Sequence, residues 1–171
     1  MLRIFLAWLF CIGLACAQIG GPAALNAPDD GFSITMPAGV PVPTPTSVKS
    51  KYSGKVVFTK YQAMQGPRAY VVTLVPADTK DPKKYMAEAE QRLEKSKGEL
   101  LGGKIQDTPF KGNPALAGRW RNESKGHVIF NQVLIVLANG KFYTVEFTTE
   151  DQTDLDKSDT QAFFQSFNVT K

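Results

Sequence analysis

Apolar and polar residues alternate along much of this chain, which is the pattern of half-buried β-strands. Phe32, Ile34 and Met36 share one face of the first such segment, and Pro37 ends it. Later segments with a strand pattern are residues 55–63, 68–75, 100–110, 115–121 and 142–149. The alternation therefore predicts a series of strands along the chain.

Residues 128–138 differ from the other segments because they are apolar on both faces. Such a run predicts a central strand that is covered on both sides. Asn139-Gly140 follows at once and is typical of a two-residue hairpin turn with positive φ angles. We therefore expect this strand to pair antiparallel with the segment at residues 142–149.

Two further segments have helical patterns. Asp81-Pro82 is typical of a helix start, and Gly98 of a helix end. Between them, apolar residues recur every four positions on one face: Tyr85, Ala89 and Leu93. A second helix is predicted over residues 160–167, where three phenylalanines need a surface to pack against.

The predicted order of elements is β-β-β-α-β-β-β-β-α. Most connections are hairpins, which predicts a largely antiparallel sheet. Central strands that are apolar on both faces, together with two helices, predict an α+β fold with helices on both faces of the central sheet. The length of 171 residues fits one domain, which we place at residues 29–171.

The N-terminus has the pattern of a cleaved secretory signal peptide over residues 1–17. Arg3 is followed by an apolar run at residues 4–14, which is shorter than the roughly 20 residues a membrane-spanning helix needs. Ala15 and Ala17 form a small-residue cleavage site. A flexible, Gly- and Pro-containing leader is then predicted over residues 18–28.

Cys16 allows a competing interpretation, in which cleavage precedes a lipidated cysteine. Gly13-Leu14-Ala15-Cys16 resembles a bacterial lipobox, but Gly13 stands where leucine is usual. We therefore expect a secreted or periplasmic protein, with lipid anchoring as the less favoured alternative. No membrane span is expected.

Loss of the signal peptide changes which reactive side chains the mature chain contains, and it lowers the net charge. Both cysteines, Cys11 and Cys16, leave with it, and the loss of Arg3 lowers the formal charge from +4 to +3. The mature chain then lacks a thiol nucleophile, and His127 is its one histidine. A charge of +3 is mild for a nucleic-acid-binding protein. We expect a monomer with no cofactor, no nucleic-acid partner and no catalytic residues.

An acidic loop at residues 150–159 is the strongest candidate for a cation site. Asp151, Asp154, Asp156 and Asp159 are closely spaced, as calcium ligands can be. Counted from Asp154, however, the sixth and twelfth positions lack the glycine and glutamate of an EF-hand. Helix capping explains these residues better, and an enzyme or metal-dependent binder using this loop remains the alternative function.

A lysine-rich stretch leads into the second predicted strand. Lys49, Lys51 and Lys55 surround Tyr52 and could contact an anionic surface. We favour a solvated hairpin edge, which lysines protect from pairing with other chains.

Several short segments together resemble the Mog1/PsbP-like superfamily. They are residues 31–37 (GFSITMP), the helix that opens at Pro82, residues 112–115 (GNPA), residues 139–145 (NGKFYTV) and residues 163–167 (FFQSF). The resemblance implies an α/β/α sandwich with an antiparallel sheet. Members of this superfamily are mainly non-catalytic accessory or binding proteins: some support photosystem II, one binds a nuclear GTPase, and many bacterial ones have no assigned role. No specific site carries over to this chain.

The sequence therefore predicts an exported, non-catalytic accessory protein that binds an unknown protein or envelope component. Binding of a small ligand between helix and sheet is a third possibility.

Overall fold

Antiparallel strands predominate in this protein. The computed structural model describes residues 21–50, 54–77, 82–96, 98–124 and 126–170. The predicted signal peptide, with Ala15, Cys16 and Ala17, lies outside the described residues, as does Lys51. Ten strands lie within them: β1 (Ala23–Ala27), β2 (Phe32–Met36), β3 (Thr44–Ser50), β4 (Gly54–Gln65), β5 (Arg68–Pro76), β6 (Glu99–Asp107), β7 (Ala115–Ser124), β8 (His127–Ala138), β9 (Lys141–Thr149) and β10 (Asn168–Val169).

These strands form two sheets. The larger sheet has seven strands in the order β3-β4-β5-β9-β8-β7-β6, and every neighbouring pair is antiparallel. The smaller sheet has the order β1-β2-β10. Helix α1 (Pro82–Ser96) connects β5 to β6, and a 3₁₀ turn (Gln152–Asp156) leads into helix α2 (Ser158–Ser166).

Strand β8 separates two hydrophobic cores because its side chains alternate between the faces of the large sheet. Leu134 and Val136 pack into the core shared with the small sheet and α2. Val133, Ile135 and Leu137 belong to the core beneath α1. The prediction of a central strand buried on both faces is confirmed, since β8 is almost entirely buried from residue 130 onward.

The predicted fold class is wrong. Helices are not the main covering layer on both faces of the large sheet. The face opposite α1 is covered by the three-stranded sheet as well as by α2. The sequence did not predict the small sheet, because β10 is two residues long and β1 lies in the predicted flexible leader. Residues 23–27 of that leader are instead a strand, paired with β2 over its whole length.

Other local predictions are confirmed. The helix that opens at Pro82 is α1, and residues 160–167 overlap α2. Asn139 and Gly140 have φ angles of 49° and 68°, as a primed hairpin turn between β8 and β9 requires.

A cluster of aromatic rings joins α2 to both sheets. The Phe167 ring lies 6.0 Å from that of Phe32 in β2 and 5.7 Å from that of Tyr143 in β9. Phe110, between β6 and β7, lies 6.1 Å from the same ring. Phe32 and Phe167 are fully buried, so this cluster holds the small sheet on the large one.

Candidate functional site

Arg68 and Asp154 form a buried ion pair at the centre of the predicted acidic loop. Arg68 is the first residue of β5, directly after the Gly66-Pro67 turn. Its Nη2 donates to Oδ1 of Asp154 at 2.6 Å, and its Nε donates to Oδ2 at 2.8 Å. This two-point geometry matches a planar guanidinium to a carboxylate, and it ties the start of β5 to the 3₁₀ turn.

Two further donors complete the shell around Asp154. The Thr149 hydroxyl donates to its Oδ2 at 2.8 Å, and the Lys157 ammonium lies 2.5 Å from its Oδ1. Only 3% of Asp154 is exposed. Hydrogen bonds from Arg68 hold the pKa of this carboxyl well below its usual range, although burial acts in the opposite direction.

The other three candidate aspartates each have a structural role. Oδ2 of Asp159 accepts from Nη1 of Arg68 at 2.9 Å, and Oδ1 of Asp156 accepts from Nη1 of Arg119 at 2.7 Å. Asp151 caps the 3₁₀ turn, since its Oδ1 accepts from the backbone N–H of Thr153 at 2.9 Å. Within the part of the chain that the structure describes, no three carboxylate, histidine or cysteine side chains are placed to hold a metal ion together.

We expect calcium to leave the melting temperature of this protein unchanged. The cations of Arg68 and Lys157 already neutralise Asp154, and Asp156 is bound to Arg119. Thermal denaturation with and without millimolar calcium measures this. A clear rise that Asp156→Ala removes would contradict the expectation and favour the metal-dependent alternative.

A second group of polar residues surrounds an open cavity of about 380 Å³ at one end of the large sheet. The cavity lies between the β1–β2 turn, the β8–β9 hairpin and the segment after β10. Its lining includes Asp29, Asn139, Lys141, Tyr143 and Thr170. A cavity of this volume is at the small end of the range for ligand sites.

Lys141 and Tyr143, which line this cavity, hold the β1–β2 turn together with Tyr61. The Lys141 ammonium donates to the backbone oxygens of Asp29 and Asp30, at 3.3 and 3.0 Å. The Tyr143 hydroxyl lies 3.1 Å from the oxygen of Asp30, and Tyr61 donates to the Asp30 carboxylate at 2.5 Å. The arrangement joins β4 and β9 to the turn that begins β2.

Burial is the main cause that raises the pKa values of Tyr61 and Tyr143, and the neighbouring Asp30 charge raises them further. Both phenols are therefore protonated donors at neutral pH rather than bases. Lys60, on β4, is the contrasting case: burial lowers its pKa, while the charge of Glu146 acts in the opposite direction.

The remaining candidates lie apart from these two groups. Lys49 and Lys55 occupy directly opposite positions in the β3–β4 pair at one edge of the large sheet. His127 is exposed, with its Nδ1 4.0 Å from Oε1 of Glu150. The structure therefore pairs three of the four aspartates with two arginines and leaves Asp151 as a cap. It places His127, Lys49 and Lys55 elsewhere.

The sequence pattern did not indicate Arg68 and Lys141 as partners of these sites. Arg68 contacts a residue 86 positions away, and Lys141 contacts carbonyls 111 and 112 positions away. No local spacing links residues so far apart. The one available signal was compositional: an arginine at the start of a predicted strand and a dense aspartate loop need partners of opposite charge.

Comparison with known proteins gives a likeness of fold alone. No protein-family model and no curated protein sequence matches this chain. Among solved structures, it is similar to PA94 from Pseudomonas aeruginosa, a protein of unknown function, with a TM-score of 0.51 and 13% sequence identity. The match covers 89% of this chain and 99% of that one. The structural likeness indicates a shared architecture. At this low sequence identity it carries no site from one protein to the other.

Among the described residues, neither helix has the length and hydropathy to cross a membrane.

Proposed function

We propose that this chain is an exported, non-catalytic binding protein that acts on a protein or an envelope component outside the cytoplasm. The signal-peptide pattern of residues 1–17 supports export, and the resemblance to the Mog1/PsbP-like superfamily favours the same class of function.

One structural observation carries the non-catalytic part of the proposal. The most concentrated group of carboxylates in the chain is occupied by Arg68, Arg119 and Lys157. General acid–base catalysis needs a group whose pKa lies near the working pH. The pKa of Asp154 is moved down and those of Tyr61 and Tyr143 are moved up, away from neutrality, whereas burial moves the pKa of Lys60 toward it.

The exposed apolar surface offers the place where a binding partner can be sought. Val40 and Val42, in the loop between β2 and β3, are 55% and 81% exposed. A photo-reactive amino acid at position 42 reports what lies against this loop in living cells. Gln106 is a matched control position, because it is exposed and lies in β6, at the opposite edge of the large sheet.

We expect position 42 to give a defined adduct in the extracytoplasmic fraction, and position 106 to give none. Cell fractionation and intact mass should also show a chain that lacks residues 1–17. A full-length chain retained in the cytoplasm, or equal labelling at both positions, would contradict the proposal.

A further inference from the structure

The cavity at the end of the large sheet is lined by polar groups whose hydrogen-bonding capacity the fold does not fully use. Lys141 gives two hydrogen bonds to backbone oxygens of the β1–β2 turn, whereas an ammonium has three N–H donors. Among the described residues, no acceptor takes the third donor, and no donor binds the carboxylate of Asp29. Both residues line the cavity, so a ligand there meets one cation and one anion with bonds to spare.

Thr170 provides a second, independent observation. Its Oγ1 atom is buried and has no hydrogen-bond partner in the part of the chain that the structure describes, and the residue lines the same cavity. A buried hydroxyl without a partner is unfavourable in a folded protein. Because no hydrogen bond holds this hydroxyl, it is free to turn about the Cα–Cβ bond toward a ligand that brings an acceptor.

The floor of the cavity is held in place by contacts between three chain segments. The N–H of Thr170 donates to the backbone oxygen of Gly31 at 2.9 Å, and Nδ2 of Asn139 donates to the backbone oxygen of Thr170 at 3.0 Å. Gly31 has a φ angle of 76°, and a Cβ atom there would lie 3.0 Å from the Tyr143 hydroxyl. A site that is already ordered costs a ligand less free energy on binding.

The two charges at the cavity do not neutralise each other. The Lys141 ammonium lies 3.3 Å from the backbone oxygen of Asp29 and 3.0 Å from that of Asp30, and both partners are neutral carbonyl groups. The Asp29 carboxylate is not among its partners. Since the cavity is open, water solvates both charges, and a ligand that displaces this water must replace its interactions with each of them.

This requirement selects the chemical class of the ligand. An apolar molecule leaves both charges without a partner, a simple anion is repelled by Asp29, and a simple cation is repelled by Lys141. A zwitterion satisfies both charges at once. Hydrogen bonds between ionised groups are roughly twice as strong as those that an uncharged sugar offers. The volume of about 380 Å³ is at the small end of the range for ligand sites, which favours a ligand of few atoms.

We propose that this cavity binds a free α-amino acid, with the ligand's carboxylate against Lys141 and Thr170 and its ammonium against Asp29. The site goes beyond the proposed function and does not depend on it, because crosslinking at position 42 reports on residues that do not line the cavity.

NMR titration of ¹⁵N-labelled protein, purified from cells that express the full-length chain, tests the proposal. Each standard amino acid is added alone, and the tightest ligand is compared with its analogues that lack the amine or the carboxylate. We expect the amide signals of Gly31 and Lys141 to shift, and each analogue to bind at least about tenfold more weakly, because it loses one charge-assisted contact. No binding of any amino acid would overturn the inference. Equal binding of the acid analogue would show a simple anion site and would also overturn it.

Asp29→Asn tests the ammonium contact. The variant removes the anion but keeps the backbone oxygen that Lys141 binds, so its melting temperature should be unchanged. Its dissociation constant for the amino acid should rise at least about tenfold, and its preference for the amino acid over the acid analogue should disappear. Asp107→Asn makes the same charge change at an exposed residue of β6 outside the cavity, and its affinity should stay within about twofold of wild type. Equal losses in the two variants would refute a local contact.

Thr170→Val tests the carboxylate side of the site without removing Lys141, which also holds the β1–β2 turn. Valine keeps the shape of the side chain and removes a hydroxyl that has no partner among the described residues, so the melting temperature should be unchanged or higher. The affinity for the amino acid should fall about fivefold, as expected for the loss of one hydrogen bond. An unchanged affinity would overturn the assignment of Thr170 to the site.

Discussion

Replacing Asp154 with asparagine is expected to lower the free energy of unfolding by about 3–5 kcal/mol, the range seen when one partner of a buried ion pair is removed. The neutral amide cannot compensate the Arg68 guanidinium, whose side chain is 18% exposed and whose other carboxylate partner, Asp159, is 43% exposed. Lys157 loses the same partner. Urea denaturation followed by far-UV circular dichroism measures the change.

Asp156 provides the matched control for Asp154. It lies in the same 3₁₀ turn and also pairs with an arginine, but its side chain is 76% exposed. Exposed ion pairs contribute about 0–1 kcal/mol, so Asp156→Asn should have a small effect. Similar losses in the two variants would show that burial does not set the strength of the Asp154 network.

The pH dependence of stability should distinguish Asp154 from the other carboxylates. Its pKa is lower in the folded protein than in the unfolded chain, where an aspartate has a pKa of about 3.9. The stabilisation is therefore complete above about pH 4 and is lost as the pH falls toward the lower folded value. The stability difference between wild type and Asp154→Asn should shrink below about pH 4.

The second large effect is expected from Phe167→Ala, which should cost about 3–5 kcal/mol of unfolding free energy. The ring is fully buried and contacts Phe32, Phe110 and Tyr143, so its removal leaves a cavity between the two sheets. Calorimetry measures the loss. Phe167→Leu keeps most of the side-chain volume. Its loss of unfolding free energy should therefore be less than half of the loss in Phe167→Ala. An equal loss in both variants would mean that the aromatic ring contacts, rather than cavity formation, dominate.

Much of the local structure could be predicted from the sequence, because the signals are local. The double-sided apolar run of β8, the Asn139-Gly140 turn and the proline that begins α1 each determine the conformation of neighbouring residues. The layer arrangement could not be predicted in the same way. Strand β1 has the sequence Ala-Ala-Leu-Asn-Ala, which has low intrinsic strand preference, and its conformation is imposed by pairing with β2.

The candidate sites show the same division between local and distant information. The density of aspartates at residues 150–159 identified the loop, and the capping role of Asp151 follows from its position. The burial of Asp154, however, depends on Arg68 arriving from β5 and on Thr149 at the end of β9. Closely spaced aspartates thus lie in different environments, which depend on partners that the spacing does not reveal.

The pairing of β2 with β10 sets the order in which this protein can complete its fold. Phe32 pairs with Val169, and Ser33 with Asn168, so the small sheet closes only after residues 168–169 have been synthesised. The Arg68–Asp154 pair likewise joins residues 86 positions apart, so it forms only after Asp154 has been synthesised. Folds that depend on such distant contacts form slowly. For a chain exported as proposed, this delay lengthens the time for which the nascent polypeptide remains unfolded and able to pass through a translocation channel.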